Sequence, residues 1–587
     1  MREIVQVQVG NYANFVGAHF WNFQDEALGI SGQGEEEWQS NTGVDMDVLY
    51  RVGETRQGVP TYTPRLLAFD ARESLGAVRA VGSLYEAPVQ PDPSSITTWS
   101  GTAAMHKAEP YKKNEFLQSL DEEEESWDAG SQNQASMSGN GYHTNGDILM
   151  QETDTERARL QALDDTVLYW TDYQKAHLHP QSVYELQSVW NGVTPFDHYG
   201  SGQGLLTQQE QRDEVQDRLR FFVEECDQLQ GFQFLVDTSG GFAAVASDVL
   251  EEVREEYGRS CCLLFSLRPP WMVPAVPNHR ASVISGLHDA VSLARLSSLA
   301  NLFVPLGLQN LASSRVAMHL CLNDSKLFHS SAVYAAAVNT ISLPFRMEPS
   351  GPTTSSSWSR GIGSTDLSSL VQLVSRSQQR RVAMMEAALP GAFVPGDPIH
   401  GIDLKGLASL TPGVDYSIDE TEAAEALVLQ GSRLAGLGTA SVSQVLECMN
   451  SSQRSVRRGA LSLTHLAISP IPLSVPLPFP MIFGPNVGRR GDILPDNVSQ
   501  TAGRGGLDIV SSSVAARVST GESMLPYVKE RSTNFRNLGV SRSSVGSHIL
   551  EEWGFAKEEA HDLGESLGDL VSAYGERRGD EGSSDSD

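Results

Sequence analysis

Ile4, Val5, Val7 and Val9 form a short apolar run that stops at Gly10, the pattern of a buried strand ending in a turn. Between Asn14 and Leu28 the apolar residues Phe15, Val16, Phe20, Trp21 and Leu28 fall at roughly helical spacing. The run Arg65 to Asp70 predicts a second strand, and a helix is expected from Ser74 onward. Further on, Thr207 to about Gln230 reads as a helix and Phe232 to Asp237 as a strand. Gly240-Gly241 reads as a turn, Phe242 to Tyr257 as a helix and Cys262 to Leu267 as a strand. Strands that alternate with helices predict an α/β fold, a parallel sheet with helices on its faces.

The alternation breaks between about 119 and 157, where acidic, Gly- and Ser-rich sequence predicts a mobile insertion. A second break, 349–364, reads as loop or linker. Near the end, Ile549, Trp553, Ala556, Ala560, Leu563, Leu567, Leu570 and Tyr574 lie four and three apart, one stripe of a helix that docks on the body of the protein. Gly554, Gly564 and Gly568 would weaken such a helix standing alone. The last residues, GDEGSSDSD, predict a disordered acidic tail.

The 587 residues are 40% hydrophobic and 20% charged, ordinary for a globular chain, but the formal net charge is −30. Such a surface repels nucleic-acid phosphates, so nucleic-acid binding is not expected and basic partners are favoured. The five cysteines form no CxxC pair, which argues against a zinc finger or a dithiol redox motif and for buried thiols in a reducing compartment. The longest uncharged apolar stretch, 467–483, carries prolines at 470, 472, 476, 478 and 480. It cannot be a regular helix, so it is expected to lie extended on the protein surface, and membrane association to be peripheral at most. His177 and His179 have a spacing that suits a metal on a strand, but no third ligand accompanies them and Pro180 points to a turn, so no metal is expected. The arginine pairs 380–381, 457–458 and 489–490 read as separate solvated charges rather than one patch.

Several segments resemble tubulin, in tubulin's order. The opening MREIVQVQVGNYANFVGAHFW resembles its first strand, phosphate loop and helix, and Tyr62 to Asp70 its second strand. Asp217 to Arg220, Leu229 to Gln233, Arg254 to Tyr257 and Leu264 to Leu267 continue the match, and Leu343 to Arg346 resembles a conserved turn of that family. The acidic insertion departs from tubulin, and Trp99 to Thr102 followed by HKAEPYKKNEFLQ, together with Lys175 to Ser182, resemble the Misato family. That resemblance implies a tubulin/FtsZ-like fold: a Rossmann-like amino-terminal domain with a parallel sheet, a second mixed α/β domain and C-terminal helices. The expected division is a tubulin-like segment 1–118, the insertion 119–157, a Misato/tubulin segment II at 158–348 completing the first domain, and a linker 349–378. A C-terminal α/β domain 379–545, a helix 546–575 and the tail 576–587 follow. The resemblance also implies a role in mitochondrial distribution, morphology and inheritance, in the cytoplasm and at the cytosolic face of the mitochondrial outer membrane. Partners there would be proteins, with tubulin or its folding machinery as a further candidate.

In tubulin-like proteins glycine-rich turns let backbone N–H groups surround the phosphates of GTP. The counterparts here are Gly10, Asn11 and Asn14 in the first loop and Gly240 and Gly241 in the second. Both loops are eroded: Asn11-Tyr12-Ala13 replaces the expected Gln-Cys-Gly, and Phe242 stands where small polar residues are expected. The acidic position beyond the second strand is Arg72, with Glu73 beside it. An ungapped count back from Pro344 aligns the segment that supplies hydrolytic carboxylates with Phe328 to Ala336, which contains none. GTP remains the one candidate cofactor, and no GTPase activity is expected.

Overall fold

A computed structural model describes residues 2–32, 43–54, 60–77, 111–120, 122, 157–270, 279–348, 361–391, 406–414, 423–431, 433–434, 438–439, 463–494, 503–539 and 545–575. The bulk of the acidic insertion, the first part of the expected linker, Arg457-Arg458 and the tail lie outside the described residues.

The apolar runs become a six-stranded, wholly parallel sheet. Its strands are β1 (Glu3–Val9), β2 (Leu66–Arg72), β3 (Val183–Trp190), β4 (Leu229–Asp237), β5 (Cys261–Leu267) and β6 (Leu302–Leu306), in the order β3-β2-β1-β4-β5-β6. Both faces are covered, so even the polar positions of β1 are buried. Gln8 donates to Gln6 at 2.8 Å, and Gly17 leaves the space that the Gln8 side chain fills.

One face carries α1 (Asn11–Gly32), which starts directly after Gly10 rather than at Asn14. The other carries α3 (Gln209–Glu224), α4 (Phe242–Glu256) and α5 (His279–Leu299), after a single turn α2 (Tyr199–Gly202). Helix α3 ends at Glu224, earlier than expected, because the chain is already in β4 by Leu229. No helix begins at Ser74: residues 73–77 turn, with Glu73 and Gly76 at φ of 63° and 54°, and the Ser74 hydroxyl donates to the Ala71 carbonyl.

Helix α6 (Leu327–Ser342) is buried from Phe328 through Ser342 and lies between α1 and a second sheet. That sheet is mixed, with β7 (Met384–Ala388), β8 (Ala408–Ser409), β9 (Ala424–Gln430), β10 (Leu463–Ser469) and β11 (Val514–Thr520) in the order β8-β7-β11-β9-β10. Within the stretch expected as a linker, α7 (Leu367–Val374) packs Leu367, Leu370, Val371 and Val374 into the core between the two sheets. The proline-rich stretch is not a surface strand: Phe479, Ile482 and Phe483 are buried, and Phe479 meets His19, Phe23 and Phe483. Its prolines prevent a helix, but its apolar side chains still gain by leaving water.

The C-terminal stripe docks as expected, but as two helices after α8 (Leu525–Leu538): α9 (Val545–Glu552) and α10 (Lys557–Gly575). Gly554, at φ 88°, ends α9. Phe555 N–H donates to the Leu550 carbonyl and Gly554 N–H to that of Glu551, the paired bonds of a glycine-terminated helix. Among the described residues no helix is long and apolar enough to cross a membrane.

Candidate functional site

Strand ends β1, β2, β4 and β5 meet at one edge of the parallel sheet, where α1 and α4 begin. In open parallel sheets this carboxyl edge is where ligands bind, and helix N-termini there offer unpaired N–H groups. Gly10, Asn11, Gly240 and Gly241 all lie at this edge, so the two predicted loops are neighbours: a Cβ on Gly10, at φ 102°, would come 2.7 Å from Cβ of Asp237 and Cγ of Phe242.

What occupies the edge is the chain itself. Asp237, the last residue of β4, is buried, and its carboxylate accepts from Tyr12 N–H at 3.1 Å and from Ser239 N–H at 2.9 Å, as well as from the Ser239 hydroxyl. A buried internal acceptor thus sits at the amino end of α1. Gly241 N–H donates to the Phe196 carbonyl at 3.1 Å. The Phe242 ring lies against Gly10 and meets Phe196 edge to face, with centroids 4.8 Å apart.

The second-loop glycines serve this closure. A Cβ on Gly240 would run into the Phe196 carbonyl oxygen, and one on Gly241 would lie 2.7 Å from the Phe196 ring and 2.8 Å from Gly202 N. A Cβ on Gly202 would overlap the Gly241 carbonyl. The residues are glycines because backbone packs on backbone, and α2 covers the turn.

Asn14 is buried at the end of β2, where it shares the Phe69 carbonyl with Gly10 N–H. Its amide donates to the Phe69 carbonyl at 3.1 Å and to Asp70 at 2.8 Å. Asp70 also accepts from Trp170 Nε1 at 2.9 Å and from Ala71 N–H; burial pushes its carboxyl up to about 6 against these bonds. Asn11 is half-buried as the first residue of α1. Tyr12 reaches instead to α6, where its hydroxyl donates to Ser330 at 2.8 Å. Arg72 lies over the Trp190 ring, 4.7 Å from its centroid, on the exposed end of β2.

Beside Asp237, Thr238 shares a hydrogen bond with Ser266 at 2.7 Å, and His288 Nε2 lies 2.9 Å from the Thr238 carbonyl. Burial, followed by the charge of Arg268, pulls His288 down to about 4, so the ring is neutral and donates. Arg268 pairs with Asp289 at 2.5 Å. The edge is therefore tied to α5 by polar bonds as well as by packing.

The segment aligned with the hydrolytic loop falls inside α6, whose burial keeps Phe328 to Ala336 from any neighbouring chain. His179 caps a short turn by accepting from Gln181 N–H and stacks on Phe221 at 4.6 Å. Arg380 is buried and donates to the Ala573 carbonyl near the end of α10, so it is not a surface charge; Arg489 and Arg490 are exposed. The sequence reading missed Asp237, Phe196 and Trp170. The one local signal was the Gly-rich run Tyr199 to Gly204.

Residues 2–122 match a family described as the Misato Segment II tubulin-like domain, and residues 159–347 match one described as a tubulin domain. Protein misato homolog 1 of Mus musculus is 30% identical over 453 residues, covering 75% of this chain and 73% of the relative. Protein misato of Drosophila melanogaster is 29% identical over 532 residues, 86% and 87% of the two chains. Protein DML1 of Gibberella zeae is 27% identical over 350 residues, 59% and 61% of the two. At this extent of identity, and with both family models matched, the chain belongs to the Misato family of tubulin-like proteins.

Proposed function

We propose that the protein is a non-enzymatic, tubulin-like organiser that supports mitochondrial distribution, morphology and inheritance by binding proteins at the cytosolic face of the outer mitochondrial membrane. The observation that carries the non-enzymatic part is the Asp237 carboxylate bonded to Tyr12 N–H and Ser239 N–H. A buried side chain that already takes these N–H groups opposes the entry of phosphate by hydrogen-bond competition at the helix terminus. Phe242 against Gly10 and the Phe196 carbonyl on Gly241 N–H favour the same reading. The mitochondrial part rests on membership of the Misato family, and the net charge of −30 favours basic partner surfaces.

The test is nucleotide content. The natively purified chain is denatured and any released guanine nucleotide is identified by chromatography, and the folded chain is titrated with GTP and magnesium. An empty protein whose unfolding temperature does not respond to GTP is expected. Stoichiometric GTP or GDP would replace this reading with a GTP-binding, self-assembling one. For the mitochondrial part, cell fractionation should place the chain in the cytosol and on mitochondria, accessible to added protease; recovery only with tubulin would favour an assembly or folding cofactor.

A further inference from the structure

The segment over the glycine turn is itself covered. Trp553, the C-cap of α9, stacks on His198 with centroids 5.3 Å apart and planes at 11°, and its indole lies where a side chain on Gly200 would stand. Phe555 packs on Tyr199 at 5.9 Å, and Arg295 of α5 lies over the Phe555 ring at 5.6 Å. Both aromatic side chains are buried. They reach α2 from one short connection, because the left-handed Gly554 between them turns the chain from α9 into α10.

On its inner side α2 meets the glycine turn backbone to backbone at Gly202 and Gly241, and Tyr199 donates to Ser247 of α4 at 3.1 Å. A continuous line of contact therefore runs from the C-terminal helices through α2 to the closed sheet edge. We propose that α9 and α10 act as a latch: Trp553 and Phe555 hold α2 down on the Gly240-Gly241 turn, and their withdrawal opens that edge. This goes beyond the nucleotide-free reading, since the latch governs how the edge opens whatever ligand it then admits. The α2 turn is four residues long, too short to persist as a helix without such contacts. Its closure on the turn is therefore set by what lies on either side of it, and the aromatic side chains stacked on its outer side come from the C-terminal connection.

Hydrogen–deuterium exchange of the full-length chain, read by mass spectrometry, tests this with Trp553→Ala and Trp553→Phe. Loss of the indole should speed exchange in peptides covering 196–203 and 238–244 together, by about tenfold or more for alanine. The phenylalanine variant should fall between alanine and wild type, with peptides from β1 and β7 unchanged. Wild-type protection of 196–203 in both variants would overturn the latch. So would faster exchange at 196–203 with 238–244 still protected, or acceleration spread evenly over β1 and β7. If the alanine variant does not fold, the phenylalanine variant, which keeps an apolar ring, decides on the same two peptides.

Discussion

Asparagine and alanine at Asp237 separate the charge of the buried carboxylate from its work as an acceptor. One carboxylate oxygen takes the Tyr12 N–H and the other takes the Ser239 N–H and hydroxyl. Alanine leaves both N–H groups buried without acceptors, at about 1–3 kcal/mol each. Asparagine keeps one oxygen and leaves one such group. Both variants remove the cost of burying the charge, so the difference between them is one unpaired N–H, about 1–3 kcal/mol with alanine the weaker.

The assay is hydrogen exchange in peptides covering 10–16 and 238–244, which reads local opening without assuming that so large a chain unfolds in one step. Burial raises the Asp237 carboxyl above the ordinary carboxylate range, outweighing its bonds to Ser239 and Tyr12. The folded state then holds the proton more tightly than the unfolded one. Stability from this group is therefore greatest at low pH and falls as pH rises from the ordinary carboxylate range through the raised value. After correction for intrinsic exchange, wild-type protection should decline over that window more than that of Asp237→Asn. Equal protection in the two variants, or an alanine variant as protected as wild type, would refute the internal-acceptor account.

Asp70 should behave in the same sense: with its carboxyl lifted to about 6, wild type loses stability relative to Asp70→Asn as pH rises from about 4 to about 6, visible in denaturant midpoints at pH 4 and pH 7.5. Gly202→Ala should cost about 1–3 kcal/mol, because the new methyl overlaps the Gly241 carbonyl; limited proteolysis near residue 200 would report it, and an unaffected cleavage rate would count against the backbone packing. Tyr574→Phe should cost about 1–2 kcal/mol by removing the hydroxyl that bonds the Val382 backbone, with faster exchange across α10 as the readout.

The α/β alternation was legible because each strand of a sheet buried on both faces is a short apolar run and each helix carries its own stripe; Ile4 to Val9 and Cys262 to Leu267 needed no neighbour to be read. The eroded loops were legible only through the resemblance to tubulin, against whose glycine-rich turns Phe242 and Tyr12 stand out. Sequence also marked the apolar stripe that docks the C-terminus, but not its division at Gly554, which depends on a left-handed φ. The helix at Leu367–Val374 was legible too, because Leu367, Leu370, Val371 and Val374 stand at i, i+3, i+4 and i+7, but the linker expected to reach 378 passed over it. Tertiary structure alone decided that the proline-rich stretch inserts Phe479 and Phe483. Burial follows from the surface each side chain finds, which periodicity does not encode. It also decided what fills the sheet edge. Phe196 meets Gly240, and Trp553 meets Gly200, across long separations in the chain, so no local pattern announces them. Asp237 looks like an ordinary strand-end residue until the fold brings Tyr12 N–H beside it and makes the carboxylate the ligand of its own helix terminus.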